Sequence, residues 1–310
     1  MKRQKATGSE ALLNIYRRGK MNIKKNDNKI IAYDVKDFNS THIFDCGQCF
    51  RWNKEEDGSY TGVVKNKVIN VLQKGSTVEF NNINIDDFEN TIINYFDFDT
   101  DYGAIKKTVN TDDVMAEAIK FGEGIRILNQ DEWEIMISFM ISANNRIPMI
   151  KKVIENLSAS FGDYIGNYRG KDYYSFPTAE SLSSAPVEKI LECKAGFRAP
   201  RIKEAAVRFM NESDQIYNIK NMSYDEGLSY LKSYVGIGDK VANCILLFSM
   251  RHFNTFPVDV WVRRVMQTLY VSKDTKDADI RKFAENKFGE FSGFAQQYLF
   301  YYARENGIGK

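Results

Sequence analysis

The stretch that decides the fold is YVGIGDKVANCI, residues 234 to 245. Two glycines, Gly236 and Gly238, are followed by an acid, by Lys240 and by an otherwise apolar run with helical spacing. Because helical spacing also precedes the glycines, the stretch predicts a helix, a Gly-Ile-Gly hairpin and a second helix that begins near Asp239. Both glycines can adopt a positive φ, and the first-turn amides of the second helix are then free to bind an anion such as phosphate.

Two nucleotide-binding motifs do not fit this hairpin. A Rossmann fingerprint needs a third Gly or Ala at position 241, where Val241 stands, and a strand before its first glycine. The P-loop spacing fails as well. Since neither motif fits, we expect the hairpin to bind phosphate through the first-turn amides of the second helix, including that of Val241. The alternative is that the glycines form only a helix C-cap followed by a tight turn.

A second segment, FPVDVWVRR at residues 256 to 264, follows the hairpin closely. Pro257 ends an extended approach, and Asp259 lies where the next helix would be capped, which is a common role for Asp. Such a cap would hold a carboxylate near Lys240. The positive end of a helix and an apolar wall favour a neutral amine, which is a nucleophile, and a nearby carboxylate can manage protons or stabilise a developing cation.

The residues before position 122 predict an α+β domain. From GQCFRW (residues 47 to 52) to STVEF (residues 76 to 80) apolar and polar residues alternate, with breaks at turn-forming residues, so we expect an antiparallel meander. Two segments that open with acids, DDFENTIINYF and DDVMAEAIKF, then predict short helices. The domain is expected to span residues 26 to 122.

The remainder, residues 123 to 310, shows only helical periodicity from residue 131 onward and predicts an all-α helix-hairpin-helix domain. In DEWEIMISFMIS, residues 131 to 142, the pattern is apolar almost all round, as in a helix at the centre of a domain. In the next helix Pro148 occupies the first turn, where its missing N–H costs nothing.

Composition limits the classes of protein that fit. The longest apolar stretches, such as ILLFSM at residues 245 to 250, are far shorter than the roughly 20 residues of a membrane span. Residues 1 to 25 carry eight Lys or Arg against one acid and are expected to be a basic tail or an appended extension. The whole chain has a formal net charge of only +2, so nucleic-acid binding has to depend on local patches.

The cysteines indicate neither disulfides nor zinc. Four cysteines in 310 residues do not make a disulfide framework, which favours a reducing cytoplasm. Cys46 and Cys49 form a lone C-x-x-C, and His42 and His252 do not supply a second ligand pair at matching spacing. We therefore expect buried thiols and no metal site.

The Gly-Ile-Gly-x-Lys hairpin and the Pro-Val-Asp segment together resemble the helix-hairpin-helix DNA glycosylases with the GPD element, and in particular the 8-oxoguanine DNA glycosylases. The resemblance extends from CGQCFRW to GFAQQYLFYYAR. It implies that Lys240 is the catalytic lysine of a bifunctional glycosylase/lyase and that Asp259 is the catalytic aspartate. Relatives with an iron-sulfur cluster carry four closely spaced C-terminal cysteines, whereas this chain has none after Cys244, so no cofactor is expected.

The same resemblance assigns the substrate-binding residues. Gly47 in GQCFRW is expected to present a backbone carbonyl to the lesion, because 8-oxoguanine carries a hydrogen at N7 where guanine has a lone pair. Cys244 and Phe300 resemble the pair that encloses the flipped base, and Gln296 resembles the amide that reads its Watson-Crick edge. Taken singly, Cys244 and Phe300 also fit ordinary core positions.

Other residues resemble those that contact DNA. Asn144 in SANNR would fill the gap left by the lesion, although alone it also fits a helix cap. Phe197 and Arg198 in AGFRAPR stand where an aromatic wedge and an Arg would enter the base stack, and Phe197 could instead be a hydrophobic staple. Two positions depart from the family: Trp261 replaces a common His that faces a phosphate, and Met149 replaces an Arg that several relatives carry, which puts opposite-base selectivity in doubt.

The implied function is a bifunctional DNA glycosylase and AP lyase that excises 8-oxoguanine. Its expected partner is double-stranded DNA containing oxidised guanine. It is expected to be a cytoplasmic monomer, nucleoid-associated in a prokaryote, without membrane contact. One alternative is a non-catalytic helix-hairpin-helix module that uses Lys240 only to bind phosphate. The other is a monofunctional glycosylase for alkylated purines, which would keep Asp259 and lack the lysine.

Overall fold

The computed structural model describes residues 15–18 and 21–308. Within those residues, seven strands form one sheet in the order β1-β2-β3-β7-β6-β5-β4, with every neighbouring pair antiparallel. The strands are β1 (Ile15–Arg18), β2 (Met21–Asn26), β3 (Lys29–Tyr33), β4 (Trp52–Lys54), β5 (Tyr60–Val64), β6 (Lys67–Lys74) and β7 (Thr77–Asn81). The predicted meander is therefore present as β4 to β7, and β3 pairs with β7 to extend it.

Two strands correct the expectation for the N-terminus. Residues 15–18 and 21–26 belong to the sheet, although residues 1 to 25 were expected to be a tail or extension. Among the basic residues, apolar and polar side chains alternate as they do in a strand: Met21 and Ile23 are buried, whereas Lys24 is only partly buried. Residues 1–14, 19 and 20 lie outside the described residues.

The first half also contains short helices, and an aromatic core lies between the sheet and the first three of them. The helices are α1 (Ser40–Asp45), α2 (Ile85–Asp87), α3 (Ile93–Tyr95), α4 (Tyr102–Val109) and α5 (Asp113–Phe121), with a π-helical turn at Phe88–Ile92. The rings of Phe44 and Trp52 stack with centroids 4.2 Å apart, and Phe96 packs against both. This core fixes the position of the segment that joins α1 to β4, which contains Gly47.

The second half is helical, as predicted, with one exception. Its helices are α6 (Glu132–Ser142), α7 (Ile147–Phe161), α8 (Ala179–Ser184), α9 (Val187–Glu192), α10 (Ala199–Asn218), α11 (Tyr224–Lys232), α12 (Asp239–Ser249), α13 (Val260–Leu269), α14 (Asp277–Phe288) and α15 (Ser292–Asn306). The exception is a hairpin of β8 (Tyr164–Tyr168) and β9 (Lys171–Tyr174), where only helical periodicity was expected. Its turn places Arg169 and Gly170 at positive φ, and Tyr173 packs on Val63 and Val68 of the sheet.

Helix α6 lies at the centre of the helical part, as its all-round apolar pattern predicts. All its side chains from Ile135 to Ile141 are buried, and it packs against α12. Helix α15 reaches back to the first half, because Met115 and Ala118 of α5 share one core with Tyr298 and Ala303 of α15. Side chains from both halves thus pack together across the domain boundary predicted after residue 122. The position of that boundary stays a prediction.

Candidate active site

The hairpin between α11 and α12 presents Lys240 at the start of a helix. A capping box of Ser223 and Glu226 begins α11, and α12 begins at Asp239, as predicted. Gly236 has φ +92°, whereas Gly238 has φ −98°, so only the first glycine uses the left-handed region. The expectation that both glycines exploit positive φ is thus corrected for Gly238.

The Lys240 side chain lies beside an aromatic wall. Its Nζ is 5.2 Å from the centroid of the Phe139 ring, and the Phe139 ring stacks on Phe248 with centroids 5.5 Å apart. The preceding residue, Asp239, forms ion pairs with Lys232 at 2.6 Å and with Arg281 at 3.7 Å. Its negative charge at the helix start is therefore balanced by other cations than Lys240.

Asp259 caps α13, as the sequence predicts. One carboxylate oxygen accepts a hydrogen bond from the Val262 amide at 2.8 Å. This bond fixes the orientation of the carboxylate, which lines the same pocket as Lys240. An N-cap aspartate aimed into a pocket has both a structural and a chemical use.

One pocket of roughly 340 Å³, including its open mouth, brings the predicted catalytic and substrate-binding residues together. It is lined by Cys46, Gly47, Phe139, Lys240, Cys244, Phe248, Pro257, Asp259, Gln296, Gln297 and Phe300. All six residues predicted for catalysis and base binding are in this set, although they come from four separate segments of the chain. The sequence did not single out Phe139 and Phe248, because they carry the ordinary apolar pattern of buried helices.

The Gly47 segment is held in place by buried polar contacts. Gln48 is fully buried, and its amide donates to the carbonyl oxygens of Ile43 at 2.9 Å and Arg126 at 2.7 Å. Its oxygen accepts from the Leu128 amide at 2.9 Å. Gly47 itself has φ +83°, a region that glycine occupies at little cost.

The last helix secures the same segment from the other side. Gln297 donates to the carbonyl oxygen of Cys46 at 2.8 Å, and Arg304 donates to that of Asp45 at 2.6 Å. A carbonyl placed in the pocket by this segment would therefore be rigid. Gln48, Gln297 and Arg304 are residues that motif spacing alone gives no reason to choose.

Gln296 carries an unsatisfied polar atom at the pocket. The residue is 5% exposed, and its Oε1 is buried without a hydrogen-bond partner among the described residues. A buried amide oxygen without a donor is costly, so this oxygen is available to accept a hydrogen bond from a group bound in the pocket. The purine Watson-Crick edge offers such donors.

Cys244 lies one turn after Lys240 and is buried in the pocket wall. Burial raises the pKa of its thiol, and this effect is larger than the lowering by nearby Lys240. The thiol is thus neutral near pH 7 and packs as a small apolar group. Cys46, Cys49, Cys193 and Cys244 are all free and buried.

Of the residues predicted to contact DNA, Asn144, Met149 and Phe197 are exposed outside the pocket, whereas Val241 is buried on α12. Asn144 is exposed at φ +51° in the turn between α6 and α7, and Met149 in the first turn of α7 is 46% exposed. Phe197, in a 3₁₀ turn before α10, is 57% exposed. Trp261 is half-buried on α13, with the Arg264 guanidinium 5.6 Å from its ring centroid.

Arg198 differs from its expected placement beside the base stack. It is only 9% exposed, and its guanidinium donates to the backbone carbonyls of Ala143 and Asn144. The same guanidinium lies 4.3 Å from the centroid of the Phe197 ring. In this structure Arg198 therefore ties the exposed Phe197 to the Asn144 turn instead of projecting from the surface.

Two further observations concern partners. Among residues 15–18 and 21–308, no group of three or more His, Cys, Asp or Glu is arranged to hold a metal ion. Within the same ranges no helix has both the length and the apolarity needed to cross a bilayer.

A helix-hairpin-helix with a first-turn lysine and a downstream capping aspartate, both lining one pocket, defines the class of base excision DNA repair proteins that carry the HhH-GPD element. The HhH-GPD superfamily model of base excision DNA repair proteins matches residues 137–290, and the model of the 8-oxoguanine DNA glycosylase N-terminal domain matches residues 30–136. The chain belongs to the 8-oxoguanine DNA glycosylase family.

Individual relatives agree with this assignment. The structure of the Clostridium acetobutylicum 8-oxoguanine glycosylase/lyase, in complex with dsDNA containing cytosine opposite 8-oxoG, is 46% identical with a TM-score of 0.90 and covers 96% of this chain and 100% of that chain. The N-glycosylase/DNA lyase of Saccharomyces cerevisiae is 30% identical over 87% of this chain and 84% of its own length. A probable N-glycosylase/DNA lyase of Methanothermobacter thermautotrophicus is 31% identical over 60% of this chain and 65% of its own length.

Proposed function

We propose specific roles for the pocket residues in the reaction that this enzyme catalyses, the excision of 8-oxoguanine from duplex DNA followed by cleavage of the abasic strand. The observation that carries the proposal is the convergence of Lys240, Asp259, Gly47 and Gln296 on one pocket. Such a pocket can receive a nucleotide only after it has been rotated out of the duplex, which costs a few kcal/mol.

Base recognition is assigned to the Gly47 carbonyl and to Gln296. A carbonyl oxygen accepts the N7 hydrogen of 8-oxoguanine and repels the N7 lone pair of guanine, so one group discriminates in both directions. The unpaired Oε1 of Gln296 accepts from the Watson-Crick edge of the same base. The Phe300 ring and the neutral Cys244 thiol enclose the two faces of the purine.

The covalent chemistry is assigned to Lys240. The neutral amine attacks C1′ of the extruded nucleotide, and the N-glycosidic bond breaks with its electron pair leaving on the base. The Asp259 carboxylate stabilises the positive charge that develops on the sugar. The departing base takes up a proton from solvent, and one proton of the lysine nitrogen is transferred to O4′ as the ring opens to a protonated Schiff base. A proton is then lost from C2′, and the 3′ C–O bond breaks with its electron pair leaving on the phosphate.

The exposed turns are assigned to the duplex. Phe197 enters the stack beside the vacancy, Asn144 fills it, and the amides of the Gly236–Val241 hairpin hold a backbone phosphate. Since one chain builds the complete pocket, we propose that a monomer is active. The free cysteines support a reducing compartment, and DNA as the substrate supports a cytoplasmic location at the nucleoid if the cell is prokaryotic.

The test is borohydride trapping on duplexes with 8-oxoguanine, alkylated adenine or an abasic site. The unmodified protein is expected to give a covalent adduct with 8-oxoguanine and abasic DNA, because only an imine is reduced. Lys240→Gln should give no adduct and no base release, with lesion binding within about tenfold of the original. Lys120→Gln, at an exposed lysine outside the pocket, should behave as the unmodified protein.

Persistent trapping by Lys240→Gln would show that another amine is the nucleophile. Absence of any adduct from the unmodified protein would favour the non-catalytic DNA-binding alternative. Excision of alkylated adenine without strand cleavage would favour the monofunctional alternative.

A further inference from the structure

A buried amide lies next to the nucleophile but outside the pocket lining. Asn243 is on α12, one turn after Lys240, and its side chain is fully inaccessible. Its Nδ2 donates to the carbonyl oxygen of Asp239 at 2.7 Å. Its Oδ1 accepts from the Tyr224 hydroxyl at 2.8 Å and from the Thr255 hydroxyl. A core position that needed only packing would be filled more easily by an apolar side chain, so these three bonds indicate a specific task.

The three partners belong to different segments. Asp239 is the first residue of the helix that carries Lys240, and Tyr224 is the first residue of α11, which lies on the other side of the hairpin. Thr255, also fully buried, lies in the segment that leads to Asp259. One amide thereby joins both helices of the hairpin to the segment that positions the carboxylate.

The Thr255 segment is in turn pressed against α15. The Gly293 amide donates to the carbonyl oxygen of Phe253 at 2.8 Å, and a Cβ on Gly293 would meet that oxygen at 3.0 Å and the Thr255 carbonyl oxygen at 3.1 Å. Gln296 follows one turn later on α15. Helix α15, which carries the amide proposed to read the base, is therefore packed in a fixed position against the segment that contains Thr255.

We propose that Asn243 is a positioning residue that fixes Lys240, through Asp239, relative to Asp259, through Thr255. The inference rests on the proposed roles of Lys240 and Asp259. Because Asn243 does not line the pocket, it acts on the reaction only through geometry. Displacement of a reacting group by about 1 Å can cost a hundredfold in rate. Loss of a hydrogen bond to Asn243 should therefore slow base excision more than it weakens binding of lesion DNA.

The experiment removes one hydrogen bond to the Asn243 side chain at a time. Thr255→Val replaces the hydroxyl by a methyl group of similar size, and Tyr224→Phe removes the second donor with less disturbance of the core. Single-turnover base excision is expected to fall about tenfold or more in Thr255→Val, while Kd for lesion DNA stays within about threefold. Thr255→Ser, which keeps the hydroxyl, should restore most of the rate.

The matched control is Ser249→Ala. Ser249 is also buried on α12, but its hydroxyl donates to the Ile245 carbonyl of its own helix at 2.8 Å and joins no second segment. This variant should keep its excision rate within about twofold even if its Tm falls. Equal rate loss in Ser249→Ala and Thr255→Val at equal Tm would overturn the proposal, as would unchanged rates in both Thr255→Val and Tyr224→Phe.

Failure of this proposal is distinguishable from failure of the proposed function. The positioning variants retain Lys240, so prolonged borohydride incubation should bring their adduct yield to the level of the unmodified protein. Lys240→Gln should yield no adduct at any time. If Lys240→Gln is inert and Thr255→Val reacts at the original rate, only the positioning role is overturned.

Discussion

Gly47 lies against the edge of the Phe300 ring, so that a methyl group on its α-carbon would stand 3.3 Å from Cε1 of Phe300. The backbone of Gly47 has φ +83°, which residues with a side chain rarely adopt. The residue proposed to read the lesion and the ring proposed to stack on it are thus neighbours with no room for an added side chain between them. A change at one is transmitted to the other.

Gly47→Ala should impair excision of 8-oxoguanine and leave the lyase reaction on an abasic site nearly intact, because the abasic sugar places no base beside the carbonyl. The positive φ alone disfavours Ala by roughly 1 to 2 kcal/mol. That strain lowers stability, whereas the contact of the added methyl group with Phe300 displaces the carbonyl from the lesion. Loss of the carbonyl's hydrogen bond, about 0.5 to 1.5 kcal/mol, should lower the single-turnover excision rate about 2- to 13-fold. Parallel measurements on 8-oxoguanine and abasic duplexes check the separation.

Gly58→Ala is the control for backbone strain. Gly58 has φ +81° in the turn between β4 and β5, and an added Cβ there would meet nothing within 4 Å. It should lose stability to a similar extent as Gly47→Ala and keep both activities. Equal loss of excision and lyase activity in Gly47→Ala would mean that Gly47 is only structural.

The two hairpin glycines should separate folding from DNA binding. Gly236 has φ +92°, and an added Cβ would come within 2.8 Å of the Arg201 side chain, so Gly236→Ala should lose about 1 kcal/mol or more of unfolding free energy. Gly238 lies outside that region and its Cβ position is open, so Gly238→Ala should change stability by less than about 0.5 kcal/mol. Urea unfolding measures both values.

Gly238→Ala should nevertheless weaken binding to undamaged duplex, since the methyl group obstructs the approach of a phosphate to the hairpin amides. Titration by fluorescence anisotropy measures this loss. Unchanged affinity in a stable Gly238→Ala protein would show that the hairpin does not bind phosphate at this point.

Arg198→Met should destabilise the protein. The change keeps most of the side-chain length and removes the donors to the Ala143 and Asn144 carbonyls, which we expect to cost about 1 to 3 kcal/mol of unfolding free energy and to weaken lesion binding by releasing the turn. Arg201→Met is the control, because Arg201 is exposed and lies over the same Phe197 ring at 5.4 Å. A smaller effect at Arg198 than at Arg201 would contradict the role in holding the turn.

Met149→Arg should sharpen selectivity for cytosine opposite the lesion. Selective reading of an orphaned cytosine calls for donors, and Met149 offers a thioether that packs without donating. The unmodified enzyme should therefore show only a modest advantage for cytosine, and one charged hydrogen bond would add about 1.5 to 3 kcal/mol, or about 10- to 150-fold. Because Arg198 is engaged by backbone carbonyls, it does not compensate in this structure.

Single-turnover excision from four duplexes that differ only in the opposing base decides the point, with Met149→Leu as the control for packing. A cytosine preference above about a hundredfold in the unmodified enzyme would show that other donors suffice.

The sequence predicted the residues whose spacing is local. Lys240 follows a hairpin whose first glycine, Gly236, has a positive φ, and Asp259 caps a helix that Pro257 precedes, so both positions are readable from a few neighbours. The residues expected to bind the base were chosen because the sequence resembles a known family. That they lie in one pocket became visible only in the folded structure. Nothing local connects Gly47 with Phe300.

The sequence could not predict contacts whose partners are backbone atoms of distant segments. Arg198 shows no motif that would direct it to the Asn144 turn, and Gln48 shows none that would direct it to Arg126. Asn243 likewise resembles any polar residue within a helix until Tyr224 and Thr255 are placed beside it. In the N-terminal stretch, the many basic residues suggested a tail and obscured a short alternation of apolar and polar residues. That alternation belongs to strands, which form because they pair in the sheet.

The contact between Gln297 and the Cys46 carbonyl spans 251 positions, and that between Arg304 and the Asp45 carbonyl spans 259. During synthesis the segment that contains Gly47 therefore leaves the ribosome long before the helix that secures it. The carbonyl proposed to distinguish 8-oxoguanine from guanine is therefore held in place only after the last helix has been synthesised and has packed. Because a domain folds as a unit, we expect the site to be completed only when the C-terminal part of the chain has emerged.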